Sequence, residues 1–109
     1  MASELVRTLD ASHLTREALA QEKLLFVDFW APWCNPCRMV APIVDQLAES
    51  FQGQVAVGKV NVDDFGAEAG AFGVASIPTM ILFKDGQEIE RVIGARPRTE
   101  LEEMIRRHL

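Results

Sequence analysis

The alternation of apolar and polar positions divides the chain into five strands and four helices. Strands are predicted over "ELVRTL", "KLLFVDFW", "VAVGKVNV", "TMILF" and "EIERVIG". "KLLFVDFW" is apolar at both parities, which is typical of a strand that is covered on both faces of a sheet. The dipeptide Asp85-Gly86 separates the last two strands and predicts a two-residue hairpin.

Helical spacing begins at Cys34, after the second strand. The apolar residues that follow recur at i, i+3, i+4, i+7 and i+11, as one buried face of a helix requires; they are Val40, Ile43, Val44, Leu47 and Phe51. Further helices are predicted over 12–21, capped by Ser12, and over 65–72. A last helix opens at Pro97 with a Thr99…Glu102 capping box.

This element order, β-α-β-α-β-α-β-β-α, predicts an α/β fold. The strand–helix–strand units imply parallel crossovers, and the hairpin adds antiparallel strands. We therefore expect a mixed central sheet with helices on both faces. A chain of 109 residues without repeats or linkers supports one domain over 1–109, and its 49% apolar and 25% charged residues are typical of a globular protein.

Charge and hydropathy limit the partners and the location of the protein. The net charge of −5 argues against a nucleic-acid partner and leaves proteins and small molecules open. The first residues show no basic leader followed by an apolar stretch, and no apolar run is long enough to span a bilayer. We expect a cytoplasmic protein with no membrane partner.

The chain's two cysteines, Cys34 and Cys37, both lie in "FWAPWCNPC" at the predicted strand-to-helix junction. Unpaired N–H groups and the helix dipole favour negative charge there, which lowers the pKa of a thiol and makes Cys34 a candidate nucleophile. Cys37 follows one turn later on the same face, close enough to attack a mixed disulfide held by Cys34. Pro36 suits a first-turn position, where no N–H is needed. The pair is predicted to transfer two electrons.

Two other roles for the thiols are disfavoured. A zinc site needs about four ligands, and the other candidates of the usual kind, His13 and His108, lie far apart in the sequence. A purely structural disulfide that closes so short a loop would constrain little of the unfolded chain, and cytosolic proteins rarely keep one. No metal is therefore expected.

Asp28 interrupts the apolar second strand. Burying a polar group without a partner costs about 2–7 kcal/mol, or for a carboxyl forces its protonation. The following helix runs back over this strand, so Cys37 can approach Asp28 if the carboxyl is buried there. The alternative is that Asp28 faces a solvated end of the strand, since acids are usually exposed. Lys59 shares the parity of Val55 and Val57, so its side chain points either inward towards Asp28 or outward to solvent.

Three motifs resemble the thioredoxin family: "FVDFWAPWCNPCRMVAP", "SIPT", and "FKDG" followed by "VIGA". They occur in the family's order and spacing, and the resemblance runs from about Leu5 to the C-terminus. It implies the thioredoxin fold, a three-layer α/β/α arrangement, and dithiol–disulfide exchange. On this resemblance Cys34 is the attacking thiol and Cys37 the buried resolving thiol.

The resemblance also implies roles for residues outside the cysteine motif. Asp28 matches the family's buried acid, which helps to deprotonate the resolving cysteine, and Lys59 matches that acid's partner. Pro78 matches a proline held in cis opposite the thiols. The expected substrate-peptide surface consists of Trp33, Ile77, Pro78 and Gly94, whereas Trp30, which also matches this surface, is better explained as core.

The dipeptide between the cysteines is Asn35-Pro36, where the family usually has Gly-Pro. Because this dipeptide tunes the reduction potential, we expect a modest shift in potential with the same reaction class. The resemblance implies disulfide-containing substrate proteins and a thioredoxin reductase as partners. It implies no cofactor, and we expect a monomer. Two alternatives stay open: a disulfide oxidant or isomerase of this fold, and a binding subunit whose thiols are incidental.

Overall fold

The computed structural model describes residues 3–109. Its five strands and four α-helices follow one another in the predicted order, β-α-β-α-β-α-β-β-α. The strands are β1 (Val6–Thr8), β2 (Leu24–Trp30), β3 (Ala56–Asn61), β4 (Thr79–Lys84) and β5 (Gln87–Ile93). The helices are α1 (Arg16–Leu19), α2 (Asn35–Ser50), α3 (Gly66–Ala71) and α4 (Arg98–Arg106).

The strands form one mixed sheet in the order β1-β3-β2-β4-β5. β3 runs parallel to β1 and β2, whereas β4 is antiparallel to both β2 and β5. β2 is the central strand, and its residues 24–29 are all buried. The prediction that this strand is covered on both faces is confirmed.

The two faces of the sheet carry separate cores. On one face Phe26 of β2 packs with residues of α2 and α4, among them Leu47, Leu101 and Met104. On the other face Phe29 packs with residues from the α1 and α3 regions; this second core comprises Leu9, Leu14, Leu19, Leu25, Val27, Phe29, Val60, Ala69, Ile81 and Phe83. Helices on both faces confirm the three-layer α/β/α arrangement.

The single helix predicted over 12–21 is wrong. The structure has a 3₁₀ turn over Ala11–Leu14, capped by Asp10 rather than Ser12, and then the short helix α1. The break is at Thr15, whose ψ of 157° is extended and whose Oγ1 accepts a hydrogen bond from the Ala18 N–H at 3.1 Å. Short polar side chains compete for backbone N–H groups in this way and so divide the helix.

Two further local predictions have different outcomes. The capping box over Thr99…Glu102 is wrong, because α4 starts at Arg98 and the Glu102 carboxylate instead accepts a hydrogen bond from Arg98 Nε at 3.0 Å. The two-residue hairpin is confirmed, with φ of 51° at Asp85 and 85° at Gly86.

Among the described residues, no helix combines the length and apolarity needed to cross a bilayer.

Candidate active site

The two cysteines lie where α2 begins, directly after β2. Cys34 is the N-cap residue of α2, and Cys37 lies in the first turn, with Pro36 between them at a position that needs no N–H. A disulfide joins the pair, whose Cα atoms are 5.2 Å apart. The Cys37 N–H donates to Cys34 Sγ at 3.2 Å. The N-terminal N–H groups of α2 thus favour negative charge on the Cys34 sulfur.

The dithiol is covered on the side of β4. Cys34 is 4% exposed and Cys37 2% exposed. Cys34 Sγ lies 3.8 Å from the carbonyl oxygen of Ile77. The Ile77-Pro78 peptide bond is cis, and Pro78 is buried at the start of β4. The backbone before β4 therefore faces the sulfur that we expect to react.

Asp28 lies beneath the dithiol on the α2 side of β2. Its side chain is 4% exposed, and Oδ1 has no hydrogen-bond partner among the described residues. Burial raises the pKa of Asp28 to about 7, although the positive charge of Lys59 on the neighbouring strand acts in the opposite direction. At neutral pH this carboxyl can therefore both take up and release a proton.

A small cavity connects Asp28 to the dithiol. Its volume is about 90 Å³, and its lining consists of Asp28, Trp30, Cys37, Arg38, Ala41 and Lys59. A single water needs only about 10–15 Å³ of such space together with polar partners. The cavity therefore has room for water between Asp28 and Cys37.

Lys59 and Trp30 form one wall of this cavity. Lys59 Nζ lies 5.3 Å from the centroid of the Trp30 ring. The lysine side chain thus lies against Trp30, and it lines the same cavity as Asp28. Trp30 is half-buried, less than expected of a core residue, and packs with the dithiol.

The exposed side of the dithiol is apolar. Trp33 is 67% exposed, and its indole N–H donates to both carboxylate oxygens of Asp63 at 3.1 Å. A groove of about 300 Å³ runs beside it, lined by Trp33, Val62, Gly66, Ala69, Val74, Ala75 and Ile77. On the other side Gly94, at φ +90°, donates its N–H to the Pro78 carbonyl at 2.7 Å.

Sequence reasoning missed part of this surface. Asp63, which holds the Trp33 ring, and the groove residues Val62, Val74 and Ala75 were not predicted. A signal for Asp63 was present, because β2 and β3 are parallel and their carboxyl ends meet at one edge of the sheet. The structure places the other predicted residues around the Cys34–Cys37 disulfide. Asp28 and Lys59 line the cavity, Trp33 and Ile77 line the groove, and Pro78 and Gly94 are joined by a hydrogen bond on the other side. Asn35 and Pro36 are exposed between the cysteines.

A cysteine pair at a helix N-terminus, with a titratable acid behind it and an apolar surface in front, defines a class of protein. This arrangement accepts and donates electron pairs through thiol–disulfide exchange. Within residues 3–109 no group of three or more metal-ligating side chains offers a different chemistry. The fold and the site together are those of a thiol–disulfide oxidoreductase.

Comparison with known proteins identifies the family. The Thioredoxin family model matches residues 6–107. Thioredoxin 1 of Nostoc sp. is 46% identical over 98 residues, which is 90% of this chain and 92% of that protein. Thioredoxin 1 of Synechococcus elongatus is 49% identical over 94 residues, or 86% and 88% of the two chains. A solved mutant thioredoxin from Halobacterium salinarum has a TM-score of 0.85 at 34% identity, covering 99% of this chain and 95% of that one.

The chain belongs to the thioredoxin family. It is a protein-disulfide oxidoreductase that works through the Cys34–Cys37 dithiol. Membership implies disulfide-containing proteins as substrates and a partner of the reductase type. The predicted fold, family and reaction class are confirmed.

Proposed function

We propose that this protein reduces disulfides of other proteins, with Cys34 as the attacking thiol and Cys37 as the resolving thiol. The single observation that carries this assignment is the position of the disulfide. Cys34 Sγ receives the Cys37 N–H at the start of α2, whereas Cys37 faces the cavity that contains Asp28. One sulfur is stabilised as an anion, and the other lies next to a proton acceptor.

The reaction then has two exchange steps. The Cys34 thiolate attacks one sulfur of the substrate disulfide, forming a mixed disulfide and releasing the first substrate thiolate. Cys37 loses its proton and attacks Cys34 Sγ, which releases the second substrate thiolate and forms the Cys34–Cys37 disulfide. Two electrons pass to the substrate, and two protons complete its thiols.

Asp28 is proposed to take the proton of Cys37 in the second step. Its pKa of about 7 suits a group that must alternate between acid and base at neutral pH. Lys59, half-buried on the neighbouring strand, stabilises the ionised form of Asp28 and so opposes the effect of burial. The cavity that both residues line supports this transfer.

The substrate is proposed to dock on the apolar surface around the dithiol. Trp33 and Ile77 flank the groove on one side of Cys34, and Pro78 and Gly94 lie on the other. An extended segment of the substrate would pair its backbone with the chain near Pro78, since strand addition supplies affinity without a fixed sequence. The exposure of Trp33 supports this role.

The remaining expectations belong to the same proposal. We propose one domain over 1–109, acting as a monomer in the cytoplasm, recharged by a thioredoxin reductase and binding neither nucleic acid nor membranes. The single five-stranded sheet supports one domain, and the net charge of −5 opposes binding to phosphate. A dithiol that must stay reduced requires a reducing compartment, which supports the cytoplasm.

Two cysteine variants test the assignment of roles. With a disulfide-bonded protein such as insulin, Cys37→Ser should accumulate a covalent mixed disulfide through Cys34, because the second step is blocked. Cys34→Ser should accumulate none and should not reduce insulin. Trapping through Cys37 in the Cys34→Ser variant would reverse the roles, and full biological function of that variant would favour a binding subunit.

The reduction potential separates a reductant from an oxidant or isomerase. Equilibration with glutathione, read by alkylation and mass shift, should give a potential near the roughly −270 mV of a reducing dithiol. Asn35→Gly should shift it by no more than about 30 mV, which corresponds to about a tenfold change in the equilibrium constant. A value near −120 mV, typical of strong oxidants, would contradict the proposed direction of electron flow.

A further inference from the structure

Arg91 of β5 makes hydrogen bonds in two directions. On one side its Nε and Nη2 donate to the two carboxylate oxygens of Glu88, at 2.8 and 2.7 Å. On the other side Nη2 donates to the carbonyl of Phe72 at 2.5 Å, and Nη1 to the carbonyl of Gly73 at 3.3 Å. Since these carbonyls directly follow α3, Arg91 bridges β5 and the end of that helix.

A β-bulge makes this bridge possible. In a regular strand, residues three positions apart lie on opposite faces. β5 has one extra residue, Ile89, relative to β4, and this shifts the register. Glu88 and Arg91 consequently pair with Phe83 and Ile81, which both belong to the core on the α1 and α3 side. The bulge thus places the carboxylate and the guanidinium on the face that carries α3.

The segment tied down by Arg91 belongs to the docking surface. Residues 73–78, here called the docking segment, connect α3 to β4. Val74, Ala75 and Ile77 of this segment line the groove beside Trp33, and the Ile77 carbonyl faces Cys34 Sγ. At its far end the docking segment is held by the Thr79 hydroxyl, which donates to the Ser76 carbonyl at 2.6 Å. Arg91 acts at its near end.

The chemistry of this contact favours arginine. The last carbonyls of a helix have no partner within the helix and carry partial negative charge, so a cation is stabilising there. The guanidinium fork can reach a carboxylate and two carbonyls at once, whereas a lysine offers a single ammonium. The side chain of Arg91 is only 24% exposed, which limits the competition from water for these hydrogen bonds.

We propose that Arg91, oriented by Glu88, is a positioning residue for substrate docking: by holding the end of α3, it sets the docking segment against which the substrate disulfide is presented. This inference rests on the proposed docking surface. Arg91 touches neither the cysteines nor Asp28 and acts only through the backbone of residues 72–73.

The variants Arg91→Ala, Arg91→Lys and Glu88→Gln test this role. With insulin as the disulfide substrate, Arg91→Ala should raise KM about three- to tenfold while kcat stays within a factor of two. The KM values of Arg91→Lys and Glu88→Gln should lie between those of Arg91→Ala and the unaltered protein. Reduction of the Cys34–Cys37 disulfide by dithiothreitol should be unchanged, because that small reagent does not use the docking segment. The Val74 amide should exchange its hydrogen faster in Arg91→Ala.

Arg7→Ala is the matched control. Arg7 forms one exposed ion pair with Glu22, and its removal changes the net charge by the same amount as removal of Arg91. This control should leave KM, the dithiothreitol rate and Val74 exchange unaltered. All kinetic measurements should be made well below the thermal unfolding midpoint of each variant, because partial unfolding would otherwise be mistaken for a higher KM.

The outcomes separate this inference from the docking proposal. If KM and Val74 exchange are unchanged in Arg91→Ala while Ile77→Ala still raises KM, Arg91 has no positioning role. If Ile77→Ala also leaves KM unchanged, the docking surface itself is wrong. If Arg91→Ala slows the dithiothreitol reaction as much as the insulin reaction, its effect reaches the dithiol and the positioning role is overturned.

Discussion

Asp28 shows how the environment of a single side chain sets its chemistry. A carboxyl normally loses its proton near pH 4, but burial beneath α2 raises the pKa of Asp28 to about 7. The folded protein thus holds this proton more tightly than the unfolded chain does. Stability must therefore fall as the pH rises from about 4 to about 7, and above that range the penalty is complete.

Asp28→Ala should consequently stabilise the oxidised protein in alkaline solution. A difference of about three pKa units corresponds to about 4 kcal/mol, from which the lost packing of the side chain subtracts, so we expect a gain of about 2–4 kcal/mol near pH 9. Near pH 4 most of the gain should be lost, because the carboxyl is then neutral in the folded protein and only about half ionised in the unfolded chain. Urea unfolding of both proteins across this pH range measures the effect.

Glu49→Ala provides the control for this measurement. Glu49 is an exposed acid on α2, so its removal changes the net charge equally without altering a buried group. Its stability difference should stay within about 0.5 kcal/mol at every pH. A pH-independent effect of Asp28→Ala would contradict the raised pKa.

At the scale of the secondary-structure elements, the residues at which helices and strands begin and end shape the site. α2 begins at the N-cap Cys34, and β5 ends one residue before Gly94, whose φ of +90° turns the chain so that its N–H reaches Pro78. Side chains rarely adopt this conformation, so a glycine is required there. Gly70 is the opposite case, because it lies inside α3 with open space around it.

A pair of alanine substitutions tests this contrast. Gly94→Ala should lower the free energy of unfolding by about 1–2 kcal/mol, since the residue must keep a positive φ. Gly70→Ala should raise it by about 0.4–1 kcal/mol, because alanine favours the helix and restricts the unfolded chain. Thermal or urea unfolding gives both values. Equal effects of the two substitutions would mean that the backbone at Gly94 is not constrained as described.

At the scale of the whole molecule, β2 and its neighbours join two cores that lie on opposite faces of one sheet. Neither helical layer has a sheet of its own. The two layers should therefore unfold together, as small domains usually do. α4, which closes one face, contributes the fully buried Leu101, Met104 and Ile105 to the first core.

Leu101→Ala should destabilise the whole protein by about 2–5 kcal/mol through loss of burial and the cavity that remains. The unfolding transition should stay single and be the same by tryptophan fluorescence and by circular dichroism, because Trp30 and Trp33 lie far along the chain from α4. Leu109→Ala is the control, since Leu109 is 57% exposed. Two separate transitions would contradict a single domain over 1–109.

Much of the fold could be predicted because its signals are local or periodic. The apolar pattern of β2, the helical spacing after Cys34 and the Asp85-Gly86 turn each depend on neighbouring residues. The broken helix at Thr15 and the start of α4 could not be predicted so well. Around residues 10–15 several short polar side chains could cap the backbone, and small differences in geometry decide that Asp10 and Thr15 do so. α4 begins after Pro97 without a side-chain cap, so the polar residues near its start carry no signal for its first residue.

The sequence by itself determined the order of the elements, the position of the dithiol at a helix start and, through its motifs, the family. Only the tertiary structure decided the environment of the site. Asp28 is buried and lines a cavity together with Lys59, and the Trp33 indole donates a hydrogen bond to Asp63. A β-bulge places the Arg91 side chain against the carbonyls at the end of α3. The physical reason is the separation along the chain over which each effect acts. Propensity and periodicity act between residues a few positions apart, whereas burial, charge and groove shape arise between residues that only the folded sheet brings together.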